Sequence, residues 1–272
     1  MVVHLLDGTY ELFRHFYGFK RARLPEHPLG AVGGVLGTVV QMIEGGATHI
    51  AVATDHVVES FRNQLWPGYK TSAGMDRTLL AQFHPLEKAL ASMGVPTFAM
   101  VELEADDALA SAAYIAAADA RAEKICIWTP DKDLAQCVSG DRIVQMDRRS
   151  GEMRDAARVR AKFGVDPAQI PDYLALVGDA ADGYPGIPGI GAKTAARLIN
   201  KHGHLEDFPA DVLRESRNLA LLFKTLATLR TDAPLFSNVD ALEWRGPTAS
   251  FDATAEKAGS PKLAERVGRL VR

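Results

Sequence analysis

Nine carboxylates of this 272-residue chain stand where they could gather metal ions. Asp7, Asp55 and Asp131 each fall at or just past the C-terminal end of a predicted strand (Val2–Leu6, Ile50–Ala53 and Lys124–Thr129). In an open parallel sheet, ligand sites lie outside the carboxyl ends of the strands, so three strands would deliver carboxylates to one edge. Glu104, Asp106 and Asp107, in the run EADD, sit where the strand Pro96–Met100 leads into a helix, at the same edge. Asp133 follows in TPDKDL, and Asp179 and Asp182 come from GDAAD at the end of a later helix. Taken alone, Asp107 or Asp133 at such a junction is more often a helix N-cap than a ligand. Convergence changes the chemistry, because like charges within a few ångströms oppose joint ionisation unless cations neutralise them. All-oxygen ligands suit Mg²⁺ or Mn²⁺, whereas zinc would want Cys or His. Two such ions about 3.5–4 Å apart are a recurring device for hydrolysing phosphodiesters.

A second signal is the run GIPGIGAKTAARLI, residues 186–199. Gly186, Gly189 and Gly191 let the backbone approach closely, and Lys193 and Thr194 then open a helix. Such a turn presents backbone N–H groups and a helix dipole to an anion. Only Gly191-Ala192 precedes Lys193, which departs from the order of a nucleotide P-loop. A helix–hairpin–helix gripping a DNA backbone through Gly189, Ile190, Gly191, Ala192, Lys193 and Thr194 fits better, a contact that carries affinity and little base information.

The elements needed to position these groups are legible in outline. Strand-like segments, with Ile143–Met146 as a fifth, alternate with helical ones at Leu29–Glu44, Arg77–Met93 and Ala105–Ala118, which predicts an α/β core with a mostly parallel sheet flanked by helices. From about Asp155 the pattern turns helical, with helices at Pro167–Val177, Lys193–His202 and Leu213–Leu229; residues 1–154 and 155–272 form the expected division. The tail after Trp244 is polar and carries no firm pattern. A hydrophobic fraction of 47% with 24% charged residues excludes a disordered chain. The net charge of −3 weakens a nucleic-acid reading until it is split: residues 1–190 carry 18 Lys/Arg and 24 Asp/Glu, net −6, and residues 191–272 carry 13 and 10, net +3. Grouped carboxylates in the first part mask a basic second part. Cys126 and Cys137 sit among apolar neighbours and read as reduced core thiols. No apolar run spans a membrane and no secretory leader is evident, so a cytoplasmic location is expected.

Seven motifs in order resemble the 5′ nuclease superfamily, which includes the 5′–3′ exonuclease domain of bacterial DNA polymerase I and the flap endonucleases. They are DGTYELFR, TDH, FRNQLWPGYK, ELEADDALA, TPDKDLAQ, DYLALVGDAADGYPG and GIPGIGAKTAARLI, between about Val3 and Phe208. The resemblance implies that Asp7, Asp55, Glu104 and Asp106 form a first-metal group and Asp107, Asp131, Asp133, Asp179 and Asp182 a second. It implies that Arg14 and Lys70 steer the scissile phosphate, and that Trp66–Met93 corresponds to a helical arch passing single-stranded 5′ ends. It further implies a helix–three-turn–helix holding duplex backbone, with Leu176, Val177, Pro185, Ile187 and Ile190 around a potassium ion. Three departures stand out. The arch segment TSAGMDR is short and loses a basic residue, leaving Arg77 as the substitute. The usual S-D-N-I-P is here ADGYP (Ala181 to Pro185), and the stretch FKRAR after Tyr17 is compact and basic.

These readings lead to the expectation of a stand-alone, monomeric 5′–3′ exonuclease and structure-specific flap endonuclease using two Mg²⁺ (or Mn²⁺), acting on DNA with 5′ ends or flaps and away from membranes. The rivals are a catalytically weak DNA-binding module of the same fold, a PIN-type ribonuclease and, more distantly, a small-molecule phosphatase. Nine carboxylates facing phosphate would serve a pure binding module badly, PIN-type ribonucleases are typically shorter and lack the Gly-rich gripping element, and a basic helical second half disfavours a phosphatase.

Overall fold

The computed structural model describes residues 1–22 and 27–271; Arg23, the last residue of FKRAR, lies outside them. The first part contains β1 (Val2–Asp7), α1 (Gly8–Ala22), α2 (Gly30–Glu44), β2 (His49–Asp55), α3 (Arg62–Leu65), α4 (Arg77–Leu80), α5 (Phe83–Ser92), β3 (Thr97–Met100), α6 (Ala105–Ala118), β4 (Lys124–Trp128), β5 (Ile143–Met146) and β6 (Met153–Arg154). The strands form one sheet in the order β3-β2-β1-β4-β5-β6, parallel except for the β5–β6 pair. Its middle strands are apolar on both faces, as a covered parallel sheet requires. On one face Leu6, Ile50 and Val52 meet α2 and α5; on the other Val3, Leu5 and Ile127 meet the alanines of α6. The small side chains Ala108, Ala112 and Ala116 let that helix lie close to the strands.

The second part contains α7 (Ala156–Phe163), α8 (Ile170–Val177), α9 (Ala192–His202), α10 (Ala210–Leu213), α11 (Arg217–Ala227), α12 (Phe251–Lys257) and α13 (Lys262–Leu270). α8, α9 and α11 surround a separate apolar cluster that includes Leu174, Ile199 and Phe223. No helix among the described residues is long and apolar enough to cross a membrane.

Three sequence-based spans need correction. The helix expected over Arg77–Met93 is two helices, α4 and α5. At the break, the buried Gln82 turns its Oε1 to accept from Ala31 N and Val32 N (3.1 and 3.3 Å), capping α2, which has no side-chain cap of its own. Residues 66–76 of the expected arch contain no helix. The helix expected over Leu213–Leu229 is interrupted because Arg214 takes a left-handed backbone, φ 48°. The tail is not unpatterned: Phe251, Ala255, Leu263 and Val267 are buried against the α2 side of the sheet, so the end of the chain returns to the core.

Candidate active site

The C-terminal edge of the sheet gathers the predicted carboxylates. β1 ends at Asp7, whose Oδ1 accepts from Tyr10 N (2.8 Å) in the first turn of α1 and whose Oδ2 accepts from the Thr129 hydroxyl (2.9 Å) just past β4. β2 ends at Asp55, whose Oδ1 accepts from Ala105 N (2.8 Å) at the start of α6. Helix N-termini favour carboxylates through their free N–H groups and dipole, so the local cap is what aims each ligand candidate. Asp131 Oδ1 accepts from Asp133 N (3.0 Å), folding TPDKD into a tight loop at the same edge.

The electrostatics show that these groups compete. Burial, then the nearby Asp55 and Asp131, push Asp7 up to about 7 against the two hydrogen bonds it accepts. Burial also raises Asp55 and Asp182, and Asp106 lies well above the usual carboxylate range because of burial and then the charges of Asp131 and Asp7. Asp133 is raised likewise by burial and by Asp131, Asp182 and Asp179. An oxygen each from Asp133, Asp179 and Asp182 lie within 4.8 Å of one another. Asp133 Oδ1 is buried with no hydrogen-bond partner among the described residues. A buried acceptor left unsatisfied costs about 1–3 kcal/mol. An arrangement of all-oxygen donors, one of whose members carries an unsatisfied buried oxygen, fits a hard divalent cation.

Two ammonium groups reach the same cluster. Lys70 Nζ lies 2.7 Å from Glu104 Oε2 and 2.9 Å from Asp182 Oδ1, bridging carboxylates of the two expected groups. Burial acts against its charge, but Glu104 and Asp182 outweigh it and hold Lys70 well above the usual lysine range. Lys132, unnoticed in the sequence although it lies between Asp131 and Asp133, pairs with Asp179 Oδ2 at 2.8 Å. Glu104 is buried and burial would raise it; Lys70 and Arg62 lower it instead.

Not every predicted residue joins. Asp107, expected in the second-metal group, is fully buried and its oxygens are already filled. Oδ1 accepts from Arg62 Nη2 (2.7 Å) and Arg230 N (2.9 Å), and Oδ2 from Arg62 Nη1 (2.7 Å) and Glu104 N (2.9 Å). With two bonds on each oxygen it is an ion-pair residue that closes a capping box from the third position of α6, whose N-cap is Glu104 rather than Asp107 itself. Arg14 is also away from the cluster, paired twice with the buried Glu11 at 2.8 and 2.6 Å. Arg62 was missed: a buried arginine in FRNQL leaves little trace in sequence. Its side chain joins Glu104, Asp107 and the carbonyls of Leu226 and Thr228.

The ADGYP departure has a steric account. Gly183 adopts φ 83°, and a Cβ there would lie 2.0 Å from Gly68 O. Tyr184 is buried against Phe223, with ring centroids 5.4 Å apart. At the Gly-rich turn, Ile187 N donates to Leu176 O (2.8 Å) and Ile190 N to Ile187 O (3.0 Å). These bonds bring three of the five residues expected around potassium together, and each accepting carbonyl keeps a second lone pair. Gly189 has φ 80°, and α9 begins after Gly191 with no side-chain cap, its Lys193 exposed.

The family described as 5′-3′ exonuclease, N-terminal resolvase-like domain, matches residues 2–164, and that described as 5′-3′ exonuclease, C-terminal SAM fold, matches residues 165–250. The chain is 34% identical over 259 residues to DNA polymerase I of Pseudomonas aeruginosa, covering 88% of this chain but 28% of that protein, so it spans about a quarter of that relative. It is 30% identical to the 5′-3′ exonuclease of Buchnera aphidicola subsp. Acyrthosiphon pisum, covering 86% of this chain and 88% of that protein. Among solved structures, T5 5′-exonuclease with bound zinc superposes with a TM-score of 0.67 at 20% identity, over 100% of this chain and 98% of that one. The catalytic core of Rad2 in complex with DNA substrate gives 0.64 at 14%, over 100% and 92%. At such identities these two likenesses establish the fold.

Proposed function

The chain belongs to the 5′–3′ exonuclease family, and from that premise we propose that it is a divalent-metal-dependent nuclease hydrolysing DNA phosphodiesters near 5′ ends and at 5′ flaps. The observation that carries this is the carboxylate edge: buried, mutually repelling groups with the orphaned Asp133 Oδ1 among them. Asp7, Asp55, Glu104 and Asp106 are proposed to hold one ion, and Asp131, Asp133, Asp179 and Asp182 the other, with Mg²⁺ or Mn²⁺ suited to the oxygen donors. When bound, such ions supply the positive charge that lowers the pKa of a water and neutralises charge on phosphate oxygens.

The chain's own residues do the rest. The helix-start N–H groups at Tyr10 and Ala105 fix Asp7 and Asp55, and Ser60, Arg62 and Tyr69 hold Glu104 through its two oxygens (2.6, 3.0 and 3.3 Å). Against burial, Lys70 lowers the pKa of Glu104 and opposes the rise of Asp182, and its ammonium at this edge would be the preorganised positive charge that stabilises the transition state at a phosphate placed there. The turn Gly189–Thr194 at the start of α9 holds duplex backbone, and carbonyls around Leu176, Val177, Pro185, Ile187 and Ile190 are proposed to hold potassium there. Residues 1–154, with α12 and α13 packed back onto them, supply the cleaving core, and the helices between supply the grip. Cleavage of a 5′-labelled flap, a nicked duplex and a blunt duplex, each with Mg²⁺ and with chelator, tests the reading. Metal-dependent cuts near the 5′ end support it; cleavage in chelator, or none on any of the three, overturns it.

A further inference from the structure

We propose that Tyr184 is a positioning residue for the second ion, its hydroxyl donating to Asp133 Oδ1 when Asp133, Asp179 and Asp182 close on a divalent cation. The proposal rests on the nuclease reading above and starts from the ADGYP departure. Against the usual S-D-N-I-P, two polar side chains are gone, at Ala181 and Gly183, and one hydroxyl is gained, at Tyr184.

The backbone brings that residue to the carboxylates. Tyr184 N donates to Asp179 O (3.0 Å) and Tyr184 O accepts from Asp179 N (2.8 Å), closing a turn that carries both Asp179 and Asp182. The ring is fixed by its neighbours. Its centroid lies 5.4 Å from that of Phe223, which Trp66 meets edge-on at 5.1 Å. Trp66 Nε1 in turn donates to Gly183 O (3.0 Å), the residue before Tyr184. The phenol is 1% exposed, in the apolar cluster that also takes in Ala135, two residues past Asp133.

Among the described residues, four buried side-chain atoms make no hydrogen bond. Two are guanidinium nitrogens at the β5–β6 hairpin, of Arg148 and Arg154. The other two are the Tyr184 hydroxyl and Asp133 Oδ1, an unmet donor and an unmet acceptor at the same corner of the molecule. Burial first, and then the charges of Asp133, Asp182 and Asp179 in that order, raise the phenol well above its ordinary range, so the hydroxyl keeps its proton and donates. A carboxylate has about four lone-pair sites, so Asp133 can take a cation and a hydroxyl together. A hydrogen bond from outside the ligand set fixes how a ligating group faces its ion. A phenol does this without adding charge. Lys132, which pairs with Asp179 at 2.8 Å, brings a positive charge that a cation must compete with. The gained hydroxyl therefore orients the ligand while leaving its full negative charge to the ion.

The test titrates Mn²⁺ calorimetrically into the parent, Tyr184→Phe and Tyr184→Leu, with melting in chelator and Mn²⁺-dependent cleavage of a 5′ flap measured on the same preparations. Tyr184→Phe keeps the ring and deletes the hydroxyl. It should melt in chelator at the parental temperature or above, because an unmatched buried hydroxyl is gone. One of the two Mn²⁺ dissociation constants should weaken at least about tenfold, the usual size for such an outer partner, while the other holds. Cleavage should need correspondingly more Mn²⁺ and return to near the parental rate at saturation. Tyr184→Leu should melt lower in chelator, which reads the ring's packing separately. Parental values for both constants in Tyr184→Phe would overturn the proposal, leaving Tyr184 as packing alone. So would a lower melting point in chelator with both constants weakened alike, since the fold rather than Asp133 would then be disturbed. A parent that binds two Mn²⁺ and cleaves confines either failure to Tyr184; a parent that binds no Mn²⁺ and cleaves nothing overturns the nuclease reading, and this proposal with it.

Discussion

Asp133 concentrates the residue-scale argument. Its orphaned oxygen and raised pKa belong to a group arranged for a partner that the polypeptide does not provide. Asp7 makes the consequence measurable. Its pKa rises from an ordinary 3.8 to about 7 on folding, so the folded state holds the proton more tightly. That contribution to stability is fully present below about pH 4 and is lost as pH climbs to about 7. Asp106 and Asp133 act in the same direction. In chelator the protein should melt at a higher temperature at about pH 5 than at about pH 8, and Mg²⁺ should raise the melting point more at the higher pH, where the ligands are deprotonated. A melting point that climbs steadily from pH 5 to 8 in chelator would contradict this. Lys70 gives a kinetic counterpart. Lys70→Ala should cut single-turnover cleavage by at least about 10²-fold, the order for losing one preorganised charge, while duplex affinity shifts a few-fold. Lys70→Arg should rescue part of the rate, since a planar fork replaces a compact ammonium; parental turnover in Lys70→Ala would make it surface charge. At this scale the sequence was legible where position along a strand decided the outcome, as for Asp7, Asp55 and Asp131. It misled at Asp107, because the ion pair that fills its oxygens comes from Arg62, 45 residues earlier, a distance that no local pattern reports.

At the scale of elements, the strands and α6 were readable because each is apolar at its own period and bounded by Gly, Pro or acidic turns. The two-helix tail was not. α13 shows the core only Leu263 and Val267 as fully buried positions, and the partner for that narrow stripe is α2, over 200 residues away in sequence. Phe251 anchors this return, 1% exposed. Phe251→Ala should cost about 3–5 kcal/mol, the usual range for an aromatic deleted from a core, read as a lower midpoint in denaturant unfolding; a cost below about 1 kcal/mol would mean the tail adds little to the core. α9 makes a different claim. Its first turn is uncapped and carries the exposed Lys193. Lys193→Ala should weaken binding to all duplex sequences by a similar factor and lower the salt slope by about 0.9. A changed sequence preference with an unchanged slope would argue against backbone gripping.

Across the whole molecule, the buried Arg62 ties the two parts together. One guanidinium joins Glu104 at the metal-gathering edge, Asp107 at the start of α6, and the carbonyls of Leu226 and Thr228 at the end of α11. Removing one partner of such a buried pair is costly, typically about 3–5 kcal/mol, so the helical part and the ligand set share one fixed frame. That frame matters because the proposed chemistry needs the duplex held by α9 and a phosphate placed at the carboxylates at the same time. The central claim is that these carboxylates act through divalent ions on bound DNA. Asp106 tests it most directly, being half-buried at the edge and free of any ion pair among the described residues. The decisive measurement is binding and Mg²⁺-dependent single-turnover cleavage of a 5′ flap by the same Asp106→Ala preparation. The account predicts cleavage lost by at least about 10²-fold with DNA affinity equal to or tighter than the parent's, since a negative charge facing phosphate is gone. Parental turnover in Asp106→Ala, or cleavage lost only in step with DNA binding, would contradict it.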